Sequence, residues 1–246
     1  MSWRELLETY RDKLGLLLIL LLSSALSVAL LVARMIYAGK FTYLFLVWNL
    51  WLAWIPLGCA LLVWTLRRTG MRGKMLLGVA WLTWLVFFPN APYIITDLMH
   101  LRHFPPVPIW YDVVLVFSFA WNGLIVGFVS LWIMQHVAHA WFGRWAGWSL
   151  VGVTLVAASF GVYVGRFLRW NSWDILLNPD QLLRDLAPSL LDPLAHPRTL
   201  AVTALFAVFL MMAYLTMALV QSVRWDQPAL ARHPAPAAQA HDKLTE

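Results

Sequence analysis

The chain has 246 residues, of which 61% are hydrophobic and 12% charged, with a formal charge of +6 and a single cysteine. A soluble domain averages about 25% charged residues, so lipid must be the solvent for most of this surface, and an ordinary soluble fold is excluded. The positive charge does not call for nucleic acid, because Lys and Arg facing anionic lipid account for it; with Cys59 alone in an apolar run, an intrachain disulfide is excluded and thiolate chemistry disfavoured.

The pattern predicts an all-α, polytopic integral membrane protein. Residues 1–13 read as a cytoplasmic N-terminal segment, 14–225 as a membrane domain and 226–246 as a disordered, Ala- and Pro-rich cytoplasmic tail. Six apolar stretches reach the roughly 20 residues that a spanning helix needs: 14–33, 43–66, 75–95, 113–134, 148–168 and 200–221. The first reads as an anchor, because its apolar core exceeds the roughly 7–15 residues of a signal peptide and no small-x-small cleavage site follows. Sixteen Trp residues fit an interfacial belt. Eleven Lys and Arg fall on the side of the termini, densest between Arg67 and Lys74, against seven on the other, so both termini are expected inside.

Small residues recur every fourth position at Ala25, Ala29 and Ala33, at Gly123 and Gly127, and at Ala157, Gly161 and Gly165. Such stripes let helices approach closely. Asn49, Ser118 and Asn122 read as interhelical hydrogen bonds or as cavity lining, with packing the preferred reading. His136 and His139 are read as solvated loop residues on the inner side.

The third span carries the most information. From Met75 to Phe88 it runs for fourteen residues, about 21 Å as a helix, against a hydrocarbon core of about 30 Å. Phe88-Pro89-Asn90-Ala91-Pro92-Tyr93 follows. Two prolines remove two backbone donors and disfavour the α region before them, so the helix is expected to kink or break between Pro89 and Pro92. The freed carbonyls need partners, and the Asn90 side chain is one. Broken backbone inside a membrane survives where protein or a watery cavity surrounds it, and such breaks mark binding sites; a packing kink is the alternative.

Directly after it, Asp97, His100 and His103 recur at i, i+3, a ligand set suited to a divalent metal or simply solvated. Topology brings Asp112, which precedes the fourth span, and Arg166, Arg169, Asn171 and Asp174, which follow the fifth, to the same outer side, with Arg102. Asp97, His100, Arg166, Arg169 and Asp174 are the candidate catalytic groups; Asn90, Arg102, Asp112 and Asn171 are the candidate substrate contacts. Arginine forks bind phosphate or carboxylate, and a carboxylate or His supplies acid–base chemistry. Three acids against three arginines also describe a salt-bridged lid. Arg166 sits just inside the apolar limit, so it needs a partner, with Asp112 or Asp174 expected. Asn178-Pro179-Asp180-Gln181 starts an amphipathic surface helix, with Leu182, Leu183, Leu186 and Leu190 on one face and an interruption at Pro188.

The runs WLVFFPNAPYIITDL from Trp84, Trp110-Tyr111-Asp112, SFAWNG from Ser118 and GVYVGRFLRWNSWD from Gly161 resemble the bacterial membrane-protein family catalogued as domain of unknown function 1361, from about Leu44 to Leu219. The resemblance implies a multi-pass protein of the bacterial cytoplasmic membrane and implies no reaction. Three functions remain open from the residues: an enzyme or binder for an anionic or lipid-linked substrate at the outer face, a non-catalytic scaffold that meets a membrane-protein partner through its small-residue faces, and a transporter or channel. The last is disfavoured because no Asp or Glu falls within the middle of a span.

Overall fold

The computed structural model describes residues 3–69 and 73–222. The expected disordered tail lies outside the described residues. The chain divides into one large unit, Met1–Met211, and a second, Met212–Glu246, whose described part is the end of the last helix. Every candidate site residue lies in the first unit.

The described residues are helical in nearly all their length: α1 (Trp3–Ala38), α2 (Phe45–Thr69), α3 (Lys74–Phe87), the single turn α4 (Asn90–Tyr93) with a 3₁₀ continuation Ile94–His100, α5 (Ile109–Phe142), α6 (Arg144–Tyr163) with a π-helical extension Val164–Leu168, the short α7 (Asp174–Leu177), α8 (Pro179–Leu191) and α9 (Pro197–Ser222). Six segments are long and apolar enough to cross a membrane: Leu14–Ala38, Phe45–Arg68, Lys74–His100, Ile109–Phe142, Arg144–Leu168 and Pro197–Val220. This is a multi-pass membrane protein, as its composition requires.

Helix α5 is the pillar. Of its most apolar stretch 61% is buried against other parts of the chain, against 22% for α1. One side of α1 instead exposes Leu18, Leu22, Leu26 and Val32, as a lipid-facing surface does. Its inward side carries Leu20, Ser24, Ser27, Leu31 and Arg34. Ser24 accepts the Trp54 indole N–H at 3.2 Å. Asn122 on α5 donates to the Ser27 hydroxyl at 2.8 Å and to the Ser23 carbonyl at 3.1 Å, which is the interhelical bonding expected of it. Ala25, Ala29 and Ala33 lie instead on the exposed side of α1.

Two expected boundaries move. The loop expected between the fourth and fifth spans is reduced to Gly143, whose φ of +89° suits glycine and lets α5 turn directly into α6. His136 and His139 are therefore helical, not loop residues, and His139 occupies the space that a side chain at Gly147 would need. The helix α8 starts where Asn178 and Pro179 place it, but it runs through Pro188 to Leu191. A proline near the exposed end of a helix frees only a carbonyl that water can reach. Asn178 makes no side-chain cap hydrogen bond; its amide turns to Asp174 Oδ1 at 3.4 Å.

Candidate functional site

The third span's α-helical ladder stops at Phe87. Phe88, before Pro89, nevertheless keeps right-handed helical angles (φ −55°, ψ −39°), as does Pro89. The expectation that proline would push its predecessor out of the α region does not hold at Phe88, whose N–H keeps its helical bond to Trp84 O at 2.8 Å. Ala91 N–H bonds one residue short, to Phe88 O at 3.1 Å, which leaves Phe87 O to the Asn90 amide at 2.9 Å. The Ser172 hydroxyl, from the segment after the fifth span, donates to Val86 O at 3.1 Å. Asn90 also donates to Ser172 Oγ at 2.9 Å. Neighbouring groups that re-satisfy backbone are what make proline tolerable in a membrane helix.

The segment Pro89–Tyr93 and the residue after it are clasped between two glycine stripes. A Cβ on Gly123 would fall 2.9 Å from Ala91 O, and one on Gly127 2.6 Å from Ala91 Cβ. From the α6 side, a Cβ on Gly161 would fall 2.8 Å from Pro89 Cβ and one on Gly165 3.1 Å from the Tyr93 ring. The stripes pack, as expected, and what they hold is the site-bearing turn.

Beyond this clasp lies the polar cluster. Arg166 stands in the π-helical turn Val164–Leu168, whose extra residue changes the direction in which the side chains after it point. Its Nη2 donates to Asp97 Oδ1 in a short, partly buried ion pair. Its Nε donates to Thr96 Oγ1 at 2.7 Å, its Nη1 lies 3.3 Å from His100 Nδ1, and its guanidinium carbon lies 4.4 Å from the centre of the Tyr93 ring. Asn49 on α2 donates to Asp97 Oδ2 at 2.8 Å. Asp97 is thus 1% exposed yet engaged at both oxygens, whereas His100 is 46% exposed.

The other expected site residues separate from it. Asp112 does not pair with Arg166: it is fully buried against Arg34, whose Nε reaches Oδ1 at 2.6 Å and Nη2 reaches Oδ2 at 3.0 Å. Arg34 also stacks on Tyr43, 4.8 Å from its ring centre, and Tyr43, itself at φ 68°, donates to His100 O at 3.4 Å. Asp174 serves its own turn, accepting from Asn171 N–H at 2.7 Å. Arg102, His103 and Arg169 are exposed, and Arg169 ends the π turn in the left-handed region. Among the described residues no three His, Cys, Asp or Glu gather closely enough to hold a metal, so Asp97, His100 and His103 do not form such a group. Arg34, Asn49, Thr96 and Ser172 were not singled out as site residues by sequence. Arg34 had a signal, since a lone arginine between Ala33 and Met35 in an apolar run demands an ionic partner.

A cleft of about 90 Å³, partly open to solvent, lies against the cluster. Its polar lining is Asn49, Asn90, Tyr93, Asn171 and Ser172, and its aromatic lining adds Trp48 and Trp170. Gly161 and Gly165 leave the room. Asp97 and Arg166 are not in the lining; they stand behind Asn49 and Tyr93 and fix both. An apolar groove of about 170 Å³ adjoins it and shares Pro89, Gly161, Trp170, Asn171 and Ser172 with it. The groove continues between Phe160 and Val164 of the fifth span and Leu182 and Leu186 of α8. A larger apolar hollow of about 240 Å³, among Leu57, Leu61, Val129 and Ile133, holds His136 as its one ionisable group.

A family model described as "Protein of unknown function (DUF1361)" matches residues 48–213. Comparison with the curated proteins and with the solved structures found no match.

Proposed function

The chain belongs to the family described as Protein of unknown function (DUF1361), and from that premise we propose that it binds a lipid-linked molecule, holding its polar part in the Asn- and Trp-lined cleft and its chain in the adjoining groove. The observation that carries this reading is the adjacency of the two spaces: five residues line both, so a polar and an apolar space lie side by side, as an amphiphile requires. With both termini inside a bacterial cytoplasmic membrane, the cleft opens at the outer face.

The ion pair of Asp97 and Arg166 acts from behind the wall as a positioning device. It sets the Asn49 amide and the Tyr93 ring. If the protein also turns its ligand over, His100 is the group placed to move a proton, being exposed and in contact with Arg166.

The test is lipid retention. Wild-type protein, purified in mild detergent and examined by native mass spectrometry, should carry a defined lipid at one per chain. Asn171→Trp, at an exposed lining position, should fill the cleft and release it. Equal, unselective lipid adducts on both proteins would overturn the reading.

A second reading is a non-catalytic scaffold, favoured by the fact that the buried carboxylates of Asp97 and Asp112 are already satisfied by arginines. It requires N171W to be silent in the retention assay and in complementation of a deletion strain.

A further inference from the structure

Resting on the cleft as a binding site, we infer that the polar part it takes is uncharged and rich in hydroxyl groups, as a sugar headgroup is. The lining residues carry no formal charge. An anion would need a free guanidinium or ammonium in reach. Arg166 has its Nε on Thr96, its Nη2 on Asp97, its Nη1 against His100 and one ring stacked on it. Arg34 is committed to Asp112, outside the cleft, and Arg169, exposed beside Trp170, is not in the lining.

A cation fails on the same grounds. Both Asp97 oxygens are taken, by Arg166 and by Asn49. Tyr93, whose ring would attract an ammonium, already holds Arg166.

The hydrogen bonds left over point to hydroxyls. Asn90 has two amide hydrogens, and both are used, on Phe87 O and on Ser172 Oγ. A backbone carbonyl only accepts, so this orientation of the amide is fixed by chemistry, and Asn90 faces a ligand with its oxygen alone. Ser172 has given its proton to Val86 O and can only accept. Asn49 has one amide hydrogen on Asp97, which leaves its oxygen and one N–H. A ligand that engages these groups therefore donates to Asn90 and Ser172, and it can accept from Asn49. Hydroxyls do both; a bare phosphate or a quaternary ammonium does not. Trp48 and Trp170 add aromatic surface to the lining.

The experiment uses the full chain in phosphatidylcholine nanodiscs doped with one of three probe lipids: a monoglucosyl diacylglycerol, phosphatidic acid, or a trimethylammonium lipid with matched chains. The glucosyl lipid should be retained selectively in native mass spectrometry, raise the melting temperature, and be displaced by octyl glucoside. Tyr93→Phe removes one hydroxyl and Asn171→Ala one exposed amide, and each should weaken retention about 3- to 10-fold, with unchanged melting in the undoped discs. Preferential retention of phosphatidic acid or of the ammonium lipid would overturn the hydroxyl assignment and leave the cleft as a binding site. No preference among the three, with N171W indistinguishable from wild type, would overturn both.

Discussion

Arg166 and Asp97, 69 residues apart in the chain, close an ion pair in which the carboxylate is 1% exposed and the arginine 11%. Losing one member strands the other charge in a dry site, at a cost of about 3–5 kcal/mol. Arg166→Ala and Asp97→Ala should each lower stability by that order, read as a fall in the melting temperature in detergent. Arg166→Lys should recover only part of it. An ammonium on a flexible stem cannot serve Thr96, Asp97 and His100 in the fixed geometry of a guanidinium. An R166A protein that melts with the wild type would show that the pair is idle.

The Arg34–Asp112 pair should behave differently when both members go. It is drier, and the Arg34 Nη1 has no hydrogen-bond partner. Breaking it by Arg34→Leu or Asp112→Leu alone should cost several kcal/mol, about 3–5. Making both substitutions should restore much of the loss, because a buried pair replaced by apolar side chains is often neutral. A double-mutant cycle on melting measures this. Additive losses in the double variant would mean that each residue has a separate role.

Tyr43 offers a pH-dependent readout from a position between the first two spans. Burial pushes its phenol above the usual range, and the negative charge of Asp112 adds to that. The protonated form is therefore favoured in the folded protein. Its contribution is complete below the ordinary tyrosine pKa of about 10 and is lost as the pH rises through the higher folded value. Wild-type stability should thus fall more steeply above about pH 10 than that of Tyr43→Phe, with the two curves parallel below it. Parallel curves throughout would show that Tyr43 is not coupled to folding.

The six spans were legible because lipid imposes length and apolarity on every crossing. Two of their ends extend further than the apolar runs: α1 continues past Arg34, and α6 begins at Arg144. Topology alone placed Asp97, His100 and Arg166 at one end of the bundle. Which carboxylate each arginine takes was not legible. That choice depends on helix rotation, and the π turn at Val164–Leu168 alters it for Arg166 in a way no spacing reveals. Asn49 read as packing because an amide in an apolar run usually is; its role depends on Asp97 lying opposite. The paired glycines read as a close approach, but not as the clasp on Pro89–Tyr93 that they form.

That clasp gives a sharp steric test. Gly127→Ala would put a methyl group 2.6 Å from Ala91 Cβ, between two helices that have no flexible side chain to yield there. Overpacking of this kind costs about 1–3 kcal/mol. Gly152→Ala, in the next span with nothing within 4 Å of its added Cβ, should be neutral or slightly stabilising, since Ala is favoured over Gly in a helix by about 1 kcal/mol. Equal melting temperatures for the two variants would show that the clasp is loose.

Ser172 joins the clasp to the cleft, and its substitution should separate fold from binding. Its hydroxyl caps Val86 O and accepts from Asn90. Ser172→Ala leaves a carbonyl without that donor, at a cost of about 1–3 kcal/mol, and it frees one Asn90 amide hydrogen. The melting temperature should fall, and the cleft should gain a donor where the wild type has none. In the lipid-retention assay the variant should therefore lose selectivity against phosphatidic acid as well as stability. Ser172→Thr keeps the hydroxyl and should recover both properties together. A variant that lost stability and kept its selectivity would confine Ser172 to the helix break and remove it from the account of the ligand.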